Sequence, residues 1–181
     1  MSELITLKDK QFKPYILECD ILEAVKKMAN VINVELKNDL PLFLVVLNGA
    51  FMFASDLLKN VSIPAEISFV KVSSYTGLTN SEEIKELIGL NTIIQGKHVV
   101  LIEDIVDTGN TIDKLLVSLE KENPLSVKVC TLLYKPEAFK GINKPDYVGF
   151  SIPNAFVVGY GLDYNELGRN LNAIYQLKKE E

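Results

Sequence analysis

The chain has 181 residues, 48% of them apolar and 24% charged, the proportions of a soluble globular protein able to bury one sizeable core. Its net charge of −5, from 19 basic and 24 acidic residues, disfavours binding to nucleic acid, which runs on neutralising phosphates. A polyanionic partner would need a divalent cation in between. The opening MSELITLKDK lacks the positive-then-apolar order of a secretory signal, and no apolar run approaches the roughly 20 residues of a membrane helix.

In chain order, CDILEAVKKMANVINVELKN predicts a helix, with Ile21, Val25, Met28 and Ile32 at helical spacing and Asp20 with Glu23 as a capping box. Pro41 introduces LFLVVL, apolar at every position, as expected of a strand covered on both faces in a parallel sheet. NGA breaks it, and FMFASDLLKN predicts a second helix; AEISFVKV (65–72) predicts the next strand. Residues 73–91 are polar and without period. An excursion that long in a compact domain is functional or mobile, with a short helix or strand expected at 82–88. HVVLI is another two-sided strand. IDKLLVSLEKEN carries the helical stripe Ile112, Leu115, Leu116 and Leu119, and SVKVCTLLY is a further strand. From Pro136 the chain is rich in Gly, Pro and aromatics, which suggests short strands and loops and then a final turn of helix. Cys19 and Cys130 lie in apolar-periodic stretches without metal-like spacing, so both are expected as buried free thiols of a reducing cytoplasm. The strand–helix–strand alternation predicts an α/β fold with a mostly parallel central sheet flanked by helices. Ligands in such folds bind at the carboxyl ends of the strands.

VVLIEDIVDTGNTI (99–112) stands out. Residues 99–102 are expected as strand, and three acids, Glu103, Asp104 and Asp107, follow with no Lys or Arg among them. Asp107, Thr108, Gly109, Asn110 and Thr111 lead straight into the helix. Free backbone N–H groups, two hydroxyls and the helix dipole make such a turn an anion site, and Gly109 can adopt a positive φ. Acids beside a phosphate site suit a phosphorylated sugar, because carboxylates accept from vicinal hydroxyls or hold a Mg²⁺ that touches them. Alone, Asp107 would be a helix cap, and Glu103 and Asp104 would be solvated loop charges; neither reading explains three acids at one strand end. The triplet Asp107-Thr108-Gly109 matches aspartic proteases, but those need paired Asp loops in a β-rich fold. No Walker loop is present, and Gly159-Tyr160-Gly161 lacks the rest of a dinucleotide fingerprint.

The same stretch resembles the phosphoribosyl-pyrophosphate signature of the type I phosphoribosyltransferases. LNGAFMFASDL is similar to their pyrophosphate loop and SSYTG to the start of their mobile catalytic loop. NKPDYVGFSIPNAFVVGYGLDYNELGRNL is similar to the purine-binding tail of the hypoxanthine-guanine branch. The resemblance runs from about residue 41 to 172. It implies one domain over 1–181, with the type I phosphoribosyltransferase fold and a small hood built from N- and C-terminal segments, about 1–20 and 136–181. The implied reaction joins hypoxanthine or guanine to 5-phospho-α-D-ribose 1-diphosphate, giving IMP or GMP and pyrophosphate, with Mg²⁺ as cofactor.

Carried over by position, Glu103 and Asp104 would meet the ribose hydroxyls directly or through Mg²⁺. Asp107 would be the base near purine N7, and the run from Thr108 to Thr111 would hold the 5′-phosphate. Asn48 and Gly49 would meet pyrophosphate with Arg169, after a cis peptide at Leu47–Asn48. Ser74 and Tyr75 would close over the site. Lys144 would donate to purine O6, Phe156 would stack on the base, Val157 would read its edge and Asp163 would bind a second Mg²⁺. Many relatives carry Lys in place of Asn48, which leaves a side-chain role there open. The resemblance also implies a cytoplasmic homodimer or homotetramer whose partners are a 6-oxopurine and phosphoribosyl pyrophosphate, with no nucleic acid and no membrane. Phe51 and Phe53 are interface or core, and His98 has no assigned role. Two alternatives stay open: a nucleotide-sensing, RNA-binding regulator with the same signature, and a sibling transferase for xanthine or a pyrimidine.

Overall fold

The computed structural model describes residues 4–74, 84–88 and 92–178. Its strands and helices, in chain order, are β1 (Ile5–Leu7), β2 (Lys10–Ile16), α1 (Glu18–Glu35), β3 (Leu42–Leu47), α2 (Phe51–Asn60), β4 (Glu66–Ser74), β5 (Ile84–Ile88), β6 (His98–Val106), α3 (Asn110–Glu120), β7 (Ser126–Tyr134), β8 (Tyr147–Ser151), β9 (Val157–Val158) and β10 (Ile174–Leu177). Two sheets result. The larger has the order β5-β4-β3-β6-β7-β8 and the smaller β1-β2-β10-β9. In the larger sheet only the β4–β5 pair is antiparallel. The carboxyl ends of β3, β4, β6, β7 and β8 therefore share one edge, where an α/β sheet places its ligands.

Period-2 alternation sorts the core into two layers. Phe43, Val45, Val100 and Ile102 pack with the stripe Ile21, Val25, Met28, Ala29 and Ile32 of α1 and with Phe53, Ala54 and Leu57 of α2. Leu42, Leu44, Val46, Val99 and Leu101 face Ile112, Leu115, Leu116 and Leu119 of α3. Both faces of β3 and β6 are thus buried, which explains their unbroken apolar runs. Phe53 is core, whereas Phe51 is exposed.

Several expectations are corrected. β6 does not stop at Ile102. It runs on to Val106 because β7 pairs with it that far, Glu103 opposite Thr131 and Val106 opposite Tyr134. Glu103 and Asp104 are therefore strand residues. The helix α1 starts at Glu18 with Leu17 before it and no side-chain cap, so Asp20 lies inside the first turn and the capping box does not form. Cys19 is exposed while Cys130 is buried; two residues along a helix from Ile21 is about 200°, off the buried stripe. No closing helix forms among the described residues: 174–177 instead pair antiparallel with β2 and β9. The smaller sheet, in the place expected of a hood, joins residues 5–7 and 10–16 to 157–158 and 174–177. The stretch from 136 to 151 lies outside it, since β8 belongs to the larger sheet. The strand option at 82–88 is realised as β5. His98 sits at the amino end of β6, with Nδ1 2.8 Å from Ser126 Oγ, on the edge opposite the acids.

Candidate active site

The acids of β6 reach the carboxyl edge in low-dielectric surroundings. Glu103 is only 9% exposed, and burial, then the charge of Asp104, pushes its carboxyl well above the ordinary range. Asp104 is half-buried, and its Oδ1 accepts from the Ile105 N–H at 2.8 Å. Burial pushes it up to about 6; nearby backbone N–H groups and Arg169 pull the other way, while Asp163 adds to the rise. Two adjacent carboxylates held this way are costly unless a cation or hydroxyl donors meet them.

Backbone closes on these acids from two loops. The turn after β3 enters through a cis peptide at Leu47–Asn48. A Cβ at Gly49 would overlap the Asp104 carboxylate, so only glycine lets this turn lie against the acid. Gly161, at φ +101°, lies in turn on the Gly49 carbonyl, where a Cβ would also clash. The Gly161 carbonyl accepts from Arg169 Nη1 at 2.9 Å, and Arg169 Nη2 lies 2.7 Å from Asp163 Oδ1. Arg169 Nε is buried without a hydrogen-bond partner. Asp163 Oδ2 accepts from the Glu166 N–H at 2.7 Å. Asn48 is exposed at the rim. Asp104, Gly49, Asp163 and Arg169 thus gather at one corner, with Glu103 beside Asp104 in β6.

The next turn builds a second corner. Gly109 precedes α3 at φ +88°, and no side chain caps the helix, so its first-turn N–H groups are oriented for an anion. Phe139 covers Gly109 so closely that a Cβ there would lie 2.5 Å from its ring, and the Lys140 N–H holds the Thr108 carbonyl at 3.0 Å. Asp107, Thr108, Asn110 and Thr111 complete the turn. Phe156, 48% exposed, stands in the hood, edge-on to Tyr164 with ring centroids 5.9 Å apart. Val157 is buried in β9. Ser74 ends β4 on the same edge; Tyr75 lies outside the described residues.

The lysine assignment is corrected. Lys144 is exposed and lines a surface cleft with Glu120, Asn123 and Ser126, at the amino end of β7. Because β7 and β8 are parallel, the connection between them must travel back along the whole sheet, on the order of 25 Å at about 3.3 Å per residue. Lys135 leaves β7 at the site edge and Lys144 arrives at the other. Lys135 stands at the carboxyl edge instead. It is 7% exposed, its Nζ lies 2.6 Å from Asp107 Oδ2, and its N–H donates to the Val106 carbonyl at 3.0 Å. Its position directly after β7, as Asp107 directly follows β6, is the available signal.

Among the described residues no three His, Cys, Asp or Glu side chains converge as a metal cage. Mg²⁺ does not require one: it keeps waters and binds through one or two carboxylates plus substrate oxygens, which Glu103, Asp104 and Asp163 suit. A pH experiment tests the strain on the acids. A raised folded-state pKa means that the folded protein holds its proton after the unfolded chain has released it. Stability contributed by Asp104 therefore falls as pH rises from about 4 to about 6 and is flat above. Thermal melts of the metal-free protein should show the advantage of Asp104→Asn over the native chain growing through that window. The ceiling is about 3 kcal/mol, reduced because Asp104 keeps some water contact. An advantage independent of pH would contradict the burial argument.

Comparison with known proteins meets this geometry. The family described as phosphoribosyl transferase domain matches residues 18–165. A hypoxanthine-guanine phosphoribosyltransferase of Lactococcus lactis is 41% identical over 93% of this chain and 92% of its own length. That of Bacillus subtilis is 41% identical over 92% and 93%. A crystal structure of a Bacillus anthracis hypoxanthine-guanine phosphoribosyltransferase superposes with a TM-score of 0.84 at 36% identity, covering 91% of this chain and 96% of that one. The Trypanosoma cruzi hypoxanthine phosphoribosyltransferase in complex with the product IMP does so at 0.87 and 34%, covering 96% and 97%. With the Gly109 turn, the acids of β6 and the Gly49 loop at one edge of the matching sheet, the chain belongs to the phosphoribosyltransferase family.

Proposed function

We propose that this chain transfers the 5-phosphoribosyl group of 5-phospho-α-D-ribose 1-diphosphate to hypoxanthine or guanine, giving IMP or GMP and pyrophosphate. The observation that carries the choice of base is the pair Asp107–Lys135. On a 6-oxopurine, O6 and N7 are neighbours on one edge. O6 accepts and the N7–H donates, so an ammonium beside a carboxylate 2.6 Å away offers the complementary pattern. Adenine presents a 6-amino group that cannot accept from Lys135 and is disfavoured. Phe156 offers its exposed face to the ring, and the backbone at Val157 reads the edge.

The turn Thr108–Thr111 grips the 5′-phosphate, and Glu103 and Asp104 face the ribose hydroxyls. Glu103, Asp104 and Asp163 are the residues that would hold Mg²⁺, which would supply positive charge to balance the pyrophosphate. Displacement at the anomeric carbon needs no covalent nucleophile. The chain positions the two reactants, Asp107 takes or shares the N7 proton, and Gly49 N–H with Arg169 meets the developing charge on the leaving group. Closure from Ser74 and Tyr75 would exclude the water that otherwise hydrolyses the sugar.

Mixed with Mg²⁺, phosphoribosyl pyrophosphate and hypoxanthine or guanine, the protein should release pyrophosphate only when the purine is present. Release without purine, or none with either base, overturns the reading. Xanthine and orotate in the same assay separate a sibling transferase. A gel shift with structured RNA separates a regulator, which 19 basic against 24 acidic residues disfavour. Among the described residues no helix is long and apolar enough to cross a membrane, and both cysteines are free; we place the protein in the cytoplasm. The exposed Phe51 fits a subunit contact of a homodimer or homotetramer, which sedimentation can measure.

A further inference from the structure

One buried hydroxyl lies outside the chemistry above yet touches the elements that carry it. Tyr160 is 2% exposed and sits at φ +51°, between Gly159 at +97° and Gly161 at +101°. Three successive left-handed residues make a tight knuckle, and for tyrosine that conformation is uncommon. The surrounding structure holds it. The Tyr160 N–H donates to the Leu171 carbonyl at 2.8 Å, and the Gly161 N–H to the Arg169 carbonyl at 2.9 Å. The phenol O–H crosses to α2 and donates to Asp56 Oδ2 at 2.6 Å, while Asp56 Oδ1 meets Lys59 Nζ at 2.9 Å. Burial and the carboxylate both push the phenol upward, so it stays a donor.

The helix α2 begins at Phe51, directly after the glycine turn that lies on Asp104. The knuckle carries Gly161, whose Cα rests on the Gly49 carbonyl and whose own carbonyl holds Arg169 Nη1. The two halves of the pyrophosphate corner come from distant parts of the chain, and this hydroxyl ties one to the helix that carries the other. We propose that Tyr160 and Asp56 are positioning residues that set the spacing between the Gly49 turn and Arg169, and so tune binding of the pyrophosphate group. The proposal rests on the phosphoribosyltransferase reading and assigns a control point within it.

Replacing Tyr160 by Phe keeps the ring and deletes only the hydroxyl. Since rate and binding depend on sub-ångström placement of the groups around a leaving group, KM for phosphoribosyl pyrophosphate should rise about 5- to 20-fold. Binding of GMP, which carries no pyrophosphate, should stay within about twofold. Asp56→Ala should reproduce the split, and the double variant should be no worse than either single one, as expected of partners in one contact. Asp56→Asn keeps an acceptor for the phenol and should stay within about twofold of the native chain. Should Tyr160→Phe fail to fold, the Asp56 pair of variants, altered on a different element, decides the matter. Equal weakening of phosphoribosyl pyrophosphate and GMP, or no change in either, overturns the proposal. A native protein that releases no pyrophosphate with any purine instead overturns the functional reading, so the two failures are distinguishable.

Discussion

Asp107→Asn should lower kcat with hypoxanthine by on the order of 10²–10⁴-fold, the usual span for a group that moves a proton in the transition state. Asn matches Asp in shape and can still accept from Lys135, so the turn into α3 should keep its geometry and KM for phosphoribosyl pyrophosphate should change little. What is lost is the ability to take the N7 proton as the glycosidic bond forms. Asp107 is suited to that task by location. It follows the last strand residue of β6, at the same edge as the buried acids, and its side chain is 43% accessible where a base would arrive. Undiminished turnover would remove the assignment and leave Asp107 as a counter-charge for Lys135.

Periodicity carries the scaffold, because burial on both faces demands apolar runs in β3 and β6 and a four-residue stripe on α3. The phosphate turn is legible for the same local reason: strand, acid, Thr, Gly and helix are contiguous. Legibility ends where contiguity does. The extension of β6 through Glu103 and Asp104 depends on how far β7 runs beside it, which no local pattern of charges reveals. The approach of Gly161 to Gly49 joins positions far apart in the sequence and follows from docking the hood on the larger sheet. Lys144 stands within NKPDYVGFSIPNAF, the stretch similar to a purine-binding tail, and sequence alone points to it. Parallel strand topology sends it to the wrong edge and leaves Lys135 at the right one. The same topology predicts where to look in any parallel sheet, at the residue just past each apolar run.

Lys135→Met is the sharpest test of that exchange. Methionine has nearly the length and bulk of the lysine stem and fills the same space without a charge or a donor. Asp107 is half-exposed in the free protein, but a bound base would cover the pair, and truncating one partner of a covered, hydrogen-bonded charge pair costs on the order of 2–5 kcal/mol. With purine O6 left facing an apolar group, kcat/KM for hypoxanthine and guanine should fall by roughly 10²–10³-fold. The loss should appear with both bases, since both carry O6, and should leave KM for phosphoribosyl pyrophosphate nearly unchanged. Discrimination against adenine should shrink at the same time, because the donor that repels its 6-amino group is gone. Lys144→Met, exposed at the far end of the sheet, should leave every one of these constants where it was. If instead Lys144→Met impairs purine use and Lys135→Met does not, the base lies elsewhere, and the pairing of ammonium and carboxylate at the mouth of β7 is only a structural ion pair.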